Sequence, residues 1–194
     1  VVGKSLVNCW SIVGKNDTYN IYNYYMHLRL GINGLGRIGK CVFLQLLDDV
    51  TVEIVAINAT NLKVEEIEDY LRYDSNHKRK LPPIKVIDSN TFEISNHKIA
   101  LLSDRNPENL HWEKYNCDYV IDSTGAFLTK EKCELHKVKY VIMSAPSKDD
   151  TNAYIYGANH EEYKGEKIIS ASSCTTNCLA PCLRVIKDNY KIKN

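Results

Sequence analysis

The chain has 194 residues, a formal net charge of +1 and a hydrophobic share of 44%. That length supports one domain with something attached, and so small a charge offers no field that would draw the chain to nucleic acid or to a membrane surface. No apolar run approaches the roughly 20 residues a bilayer span needs. The seven cysteines are odd in number, irregularly spaced and contain no CxxC, which argues against a disulfide framework and for a reducing compartment.

Residues 16–27, NDTYNIYNYYMH, are rich in Asn and Tyr and lack a period. Met26 stands two residues before a strand pattern, so the folded unit is expected to start there. Residues 1–27 are then an extension: disordered, a leader remnant or translated non-coding sequence. The patch LVNCWSIV after Lys4 is broken by Asn and Ser and lacks an A-x-A-like cleavage site, which a signal peptide would carry.

From residue 28 strands and helices alternate. LRLGIN (28–33) reads as a strand, GKCVFLQLLDDV (39–50) as a helix with Val42, Leu44, Leu46 and Leu47 at helical spacing, and TVEIVAIN (51–58) as a β-branched buried strand. KVEEIEDYLR (63–72) predicts a helix with Val64, Ile67, Tyr70 and Leu71 on one face. After Pro82 and Pro83, the runs KVI, TFEI and KIALL, separated by Asp-Ser-Asn and Ser-Asn-His, predict short antiparallel strands. DYVIDSTG (118–125), VKYVIMSAPS (138–147), NAYIYGAN (152–159) and KIIS (167–170) read as further strands, and LTKEKCELHK (128–137) as a helix. This order implies an α/β fold with right-handed crossovers and a doubly wound parallel sheet.

GLGRIG (34–39) fits G-x-G-x-x-G and lies between a predicted strand and a predicted helix, the context that the dinucleotide fingerprint requires. Gly34 would allow the tight turn, Gly36 the approach of a pyrophosphate, and Gly39 close packing of helix on strand. The phosphates would lie on the helix amino terminus. The fingerprint also expects an acid at the end of the second strand to hold the ribose 2′-hydroxyl, but that position is Ala59. Without a carboxylate to repel a 2′-phosphate, and with Lys40 and Lys63 nearby in sequence, the expected cofactor is NADP, or NADP and NAD alike.

KIISASSCTTNCLAPCLRVI (167–186) ends a strand pattern in small hydroxyl residues and then opens a helical one at Cys174. Unpaired amides and the dipole at a helix start favour a thiolate, which is a nucleophile at neutral pH. Cys174, Cys178 and Cys182 form an i, i+4, i+8 stripe. Three thiols on one helix suit tetrahedral metal poorly, so the stripe is expected to be packed and no metal is expected. Pro181 lies inside this helix and removes a hydrogen bond. The acidic run Glu65, Glu66, Glu68 and Asp69 reads as a solvated face, HKRK (77–80) as an exposed loop, Trp10 and Trp112 as local packing residues, and His136 and His160 as surface residues.

GINGLGRIG, VEIVAIN, YDSNH, DRNPENL, STGAFLT, SAPSKD, YGANHEEY and SCTTNCLAP occur in this order. Together they resemble the amino-terminal half of phosphorylating glyceraldehyde-3-phosphate dehydrogenases over residues 28–194. The resemblance implies a dinucleotide-binding Rossmann domain at 28–173 and the start of a truncated catalytic domain, with its first helix, at 174–194. It implies thiolate attack on the aldehyde, hydride transfer to NAD(P) and phosphorolysis of the thioester to 1,3-bisphosphoglycerate. Erythrose-4-phosphate dehydrogenase is the sister activity, and a non-catalytic NAD(P)-binding fragment is the alternative.

By resemblance Cys174 is the nucleophile, with Ser173 and Thr175 at the substrate and phosphate site. Asn33, Gly34, Gly36, Arg37, Ile38 and Gly39 match the phosphate-binding loop, Ala59 the ribose position and Arg105 an adenine-side residue. Ser123, Thr124 and Gly125 match the loop after the fourth strand, and Ser144 a strand end beneath the nicotinamide. The family implies a sugar phosphate and inorganic phosphate as small-molecule partners, a homotetramer at full length and a cytoplasmic location, with a plastid form as alternative. Two positions depart from its usual pattern before the cysteine, Ala171 and Ser172. No histidine follows His160, so this polypeptide alone is expected to be inactive.

Overall fold

The computed structural model describes residues 28–73 and 80–190. The extension 1–27 with Trp10, residues 77–79 of the basic cluster, and residues 191–194 lie outside that range.

The strands are β1 (Leu28–Asn33), β2 (Val52–Asn58), β3 (Ile84–Asp88), β4 (Thr91–Ile94), β5 (His97–Leu102), β6 (Tyr119–Asp122), β7 (Tyr140–Met143) and β8 (Ile168–Ser170). Helices α1 (Arg37–Leu46), α2 (Ile67–Arg72), α3 (Lys130–Glu134) and α4 (Cys174–Asn189) complete the described elements, with short 3₁₀ turns between them. One sheet holds all eight strands in the order β3-β4-β5-β2-β1-β6-β7-β8. The pairs β1–β2, β2–β5, β1–β6, β6–β7 and β7–β8 are parallel, and β3–β4–β5 is antiparallel. The chain winds outward from β1 to β5, returns to β6 and winds the other way, which is the expected doubly wound α/β sheet.

The central strands are apolar because both their faces are covered. Leu30 and Ile32 of β1, Ile54 and Ile57 of β2 and Ile121 of β6 are all buried in one cluster with Val42, Phe43 and Leu46 of α1. A second cluster forms around Trp112, whose ring lies on β1. Gly31 makes that possible, since a Cβ there would stand 2.6 Å from Trp112 Cζ3.

Three expectations need correction. NAYIYGAN is not a strand: only Ala153 pairs, in a single bridge to Ser170. The Asn159 side chain accepts from Ile155 N and donates to Ala153 O, and Gly157 has φ +78°, so a side-chain-closed turn replaces the ladder. The helix at 63–72 begins as a 3₁₀ turn, Val64–Glu66, and Tyr70 stays exposed while Val64, Ile67 and Leu71 are buried. His136 is not a surface residue. It is 1% exposed, because Trp112 and Asp122 give both ring nitrogens partners inside the fold. His160 is half-buried, its Nδ1 accepting from Gly157 N.

Candidate functional site: the carboxyl edge of the sheet

Six parallel strands point their carboxyl ends at one edge, where open α/β sheets bind ligands. Gly34 follows β1, Ala59 follows β2, Arg105 lies beyond β5, Ser123 follows β6, Ser144 follows β7, and Cys174 comes four residues after β8. The strand order reverses at β1 and β6, beside the glycine turn.

A cavity of about 690 Å³ opens there, walled by Gly34–Gly36, Ala59–Leu62, Glu66, Asp69, Tyr70, Ser123 and Thr124. Its local geometry follows from three glycines. Gly34 has φ +91°, a conformation L side chains rarely adopt. A Cβ at Gly39 would lie 1.9 Å from Gly34 O, so α1 can approach β1 only without one. At Gly36 a Cβ would meet nothing within 4 Å and would project into the open space in front of α1. Ser123 Oγ is buried without a hydrogen-bond partner among the described residues. Free space at Gly36 and an unused buried hydroxyl fit a polar ligand laid over this turn. A smaller hollow of about 400 Å³, walled by residues 47–50, 52, 53 and 95–97, lies toward the amino ends of β2 and β5 and has none of these features.

Not every expected residue lies in the wall. Gly34, Gly36, Ala59, Ser123 and Thr124 do. Gly39 stands behind it. Arg37 is exposed in the first turn of α1, and Ile38 packs half-buried on the main core. Gly125 has φ +71° and open space around it. Arg105 is exposed outside the wall, and Ser144 N donates to Asp122 O at 2.9 Å. Asn33 is turned inward: its Nδ2 donates to Asp122 Oδ2 at 2.6 Å, and its Oδ1 accepts from Asn58 Nδ2 at 2.7 Å. Lys40 does not reach toward a 2′-phosphate. It is buried, donates from Nζ to Tyr70 O at 2.6 Å and lies 4.1 Å from the centre of that ring. Lys63 is exposed.

Sequence reasoning missed Tyr70, whose hydroxyl donates to Leu35 O at 2.6 Å and so braces the glycine turn. It also missed the buried polar group of Asn58, Asp122, His136 and Trp112. One signal was present: Asn33, Asn58 and Asp122 are each the last residue of a strand whose carboxyl half is otherwise apolar.

At the other end of the edge, β8 leads through Ser172, with φ +61°, into α4. Ser173 caps the helix, its Oγ accepting from Thr176 N at 3.0 Å and lying 2.9 Å from Thr175 Oγ1. Asn177 Nδ2 donates to Ala171 O and Ser173 O, which latches the turn from inside. Ser170 Oγ donates to Ala145 O and accepts from Ser172 N. Cys174 is the first residue of the helix and is exposed. Three strand spacings of about 4.8 Å, roughly 14 Å in all, separate β8 from β1 across the sheet.

The packed cysteine stripe is not found. Cys174, Cys178 and Cys182 are all exposed, together with Leu179, Leu183, Val185 and Ile186. Helix α4 buries only Asn177 among the described residues, because only its amino-terminal turn meets the sheet. Cys117, Cys133, Cys174, Cys178 and Cys182 form no disulfide among the described residues. Burial, above all, pushes the thiols of Cys117 and Cys133 up to about 12. Among the described residues, no cluster of His, Cys, Asp or Glu could hold a metal ion. No described helix is long and apolar enough to cross a membrane.

Comparison with known proteins places this geometry. A family described as glyceraldehyde 3-phosphate dehydrogenase, NAD binding domain, matches residues 28–130. The chain is 44% identical over 170 residues to a glyceraldehyde-3-phosphate dehydrogenase of Buchnera aphidicola, covering 86% of this chain and 51% of that protein. Glyceraldehyde-3-phosphate dehydrogenase A of Escherichia coli K12 and the protein named glyceraldehyde-3-phosphate dehydrogenase, cytosolic, of Trypanosoma brucei brucei are each 42% identical with the same coverage. The chain thus spans about half the length of these relatives. Glycine turn, strand order and matched residues agree, and the chain belongs to the family of the glyceraldehyde 3-phosphate dehydrogenase NAD binding domain.

Proposed function

We propose that this chain supplies the dinucleotide-binding half and the nucleophile of a phosphorylating glyceraldehyde-3-phosphate dehydrogenase. Residues 28–173 form the nucleotide domain and 174–194 begin the catalytic domain. One observation carries this: Cys174 heads a capped helix on the same sheet edge as the glycine turn and its cavity.

When bound, NAD or NADP supplies the hydride acceptor. The amides at the start of α1 hold its pyrophosphate, Gly36 leaves room for it, and Ser123 Oγ offers a hydrogen bond that the fold leaves unused. Arg37, Ile38, Gly125, Ser144 and Arg105, which lie outside the cavity wall, would be the further contacts of a dinucleotide laid along the edge. Cys174 Sγ, as thiolate, attacks the aldehyde carbon of glyceraldehyde 3-phosphate. A C–S bond forms, and the carbonyl oxygen takes a proton to give a hemithioacetal. With the hydride passed to a bound dinucleotide and the hydroxyl proton lost to a base or to water, the acyl group would remain on Cys174 as a thioester. An oxygen of inorganic phosphate then attacks, which releases 1,3-bisphosphoglycerate and restores the thiolate. Ser173 and Thr175 present hydroxyls and amides that suit an anion beside the sulfur.

For the cofactor we infer use of both dinucleotides. Ala59 removes the carboxylate that would repel a 2′-phosphate, whereas Glu66 and Asp69 in the same wall supply acidic groups on the ribose side of the turn. The full-length protein is a homotetramer in the cytoplasm, with a plastid form as the alternative. Erythrose 4-phosphate is the alternative substrate. A non-catalytic fragment is favoured by one observation: among the described residues the Cys174 thiol has no hydrogen-bonding base, and a Cys–His pair needs one within reach. Isothermal titration with NAD and NADP, followed by an acyl-phosphate assay, tests both. The expected result is weak dinucleotide binding and no acyl phosphate from the 194-residue polypeptide. Steady NAD(P)H formation by the pure chain contradicts the need for a base from elsewhere, and absence of binding contradicts the dinucleotide site.

A further inference from the structure

We propose that His136, held by Trp112 as the Nε2-protonated tautomer, is a positioning residue that orients the Asp122 carboxylate and through it two walls of the dinucleotide cavity. This rests on the reading of that cavity as a dinucleotide site.

The indole of Trp112 can only donate. Its Nε1 donates to His136 Nδ1 at 3.1 Å, so the lone pair of the imidazole is on Nδ1 and the ring proton on Nε2. That Nε2–H donates to Asp122 Oδ2 at 3.2 Å. The imidazole is wholly buried, with the edge of Phe127 against it at a ring separation of 5.6 Å. Trp112 reaches its place only because Gly31 clears β1 beneath it.

Asp122 passes the constraint on in two directions. Its Oδ1 accepts from Thr124 N at 3.1 Å and from Thr124 Oγ1 at 2.7 Å, which sets the loop 123–125. Its Oδ2 accepts from Asn33 Nδ2 at 2.6 Å, directly before the glycine turn. Asn33 in turn receives Asn58 Nδ2, and Asn58 exchanges two bonds with the main chain of Asp104, the neighbour of Arg105. A carboxylate offers about four acceptor sites, and these four donors use them. The carboxylate therefore cannot turn without releasing either the loop or the glycine strand. A core-filling histidine would need neither partner; this one links the clusters under β1 to the ends of β1, β2, β5 and β6.

Nitrogen-15 NMR of the chain at neutral pH, with NAD added, tests the idea on the wild type. The expected spectrum has a protonated Nε2 and a bare Nδ1 on His136. On adding NAD, the N–H signals of His136 and Trp112 move together with the amides of Gly36 and Thr124. Movement of those amides alone overturns the positioning role and leaves the cavity reading standing; no movement anywhere overturns both. A proton on Nδ1 also overturns it. In a parallel arm, His136→Gln keeps a donor and an acceptor and should bind NAD within about threefold of wild type. His136→Leu keeps neither and should bind about tenfold more weakly with an unchanged far-ultraviolet dichroism spectrum. Equal affinity of the Leu variant would overturn the proposal, and should that variant fail to fold, the wild-type spectrum decides.

Discussion

The two ends of the carboxyl edge are built in opposite ways. Under β1 and β6 the side chains of Asn33, Asn58, Asp122, His136 and Trp112 are bonded to one another and shut away from water. Beyond β8 the helix that carries Cys174 is held by a latched first turn, Asn177 on Ala171 and Ser173, and by Arg184 donating to Ala158 O, while Leu179, Leu183, Val185 and Ile186 stay exposed. A nucleotide site needs fixed backbone groups, which one sheet provides by itself. Under the proposed function, covalent chemistry at Cys174 also needs a base, and among the described residues none is bonded to its thiol. The first region is a closed network of buried polar groups, the second an exposed helix latched at its start.

The cysteines give the sharpest way to break that contrast. Iodoacetamide at pH 7.5 should modify Cys174 on the order of 10³-fold faster than Cys117 or Cys133, since burial holds their thiols near 12 and shields them. Peptide mass mapping over time reads the rates; comparable rates would mean that the nucleotide half opens readily. Within α4, Cys174 should exceed the equally exposed Cys178 and Cys182 severalfold, which isolates the contribution of the helix start.

The glycine turn comes next. Gly39→Ala puts a methyl 1.9 Å from Gly34 O and should lower unfolding free energy by about 3 kcal/mol. Gly36→Ala enters open space and should change stability by less than about 0.5 kcal/mol while weakening NAD binding about tenfold. Urea titration and calorimetry separate the two; similar stability losses would mean that Gly36 serves the fold and not a ligand.

A smaller effect is expected at alkaline pH. Cys117 and Cys133 have an ordinary value of 9.0 and are raised to about 12 by burial. Folding therefore favours the protonated thiols. Their contribution is complete below about pH 9 and is lost as pH rises toward 12. The urea midpoint should fall between pH 8.5 and 10.5, and less steeply in the Cys117→Ala, Cys133→Ala double variant. Equal slopes would show that other groups govern the alkaline limit. Smallest is Ala59→Asp, which should shift the NAD:NADP affinity ratio about fivefold toward NAD, a carboxylate facing a 2′-phosphate across solvent being worth only about 1 kcal/mol. An unchanged ratio would remove Ala59 from the selectivity of the cavity.

Much of this was legible because parallel strands announce themselves. IVAI and YVI are short apolar runs that end in Asn58 and Asp122, and GLGRIG lies where a strand becomes a helix. The tight turn at Gly34 and the close packing at Gly39 appear as the glycine pattern anticipates, and Gly36 faces open space. His136 was misread because its partners are 14 and 24 residues away in sequence, and only the packing of Trp112 onto Gly31 brings them together. NAYIYGAN alternates like a strand, but Asn159 closes a turn that outcompetes the ladder. The cysteine stripe has helical spacing, and spacing alone does not distinguish a covered face from a bare one.

The central claim is that the glycine turn and Cys174 belong to one site. The rate at which iodoacetamide modifies Cys174, measured with and without saturating NAD, tests it most directly. A dinucleotide lying along the edge should change that rate severalfold in the wild type and leave it untouched in a Gly36→Val variant that no longer binds. The same rate with and without NAD, in a chain shown by calorimetry to be saturated, would contradict it.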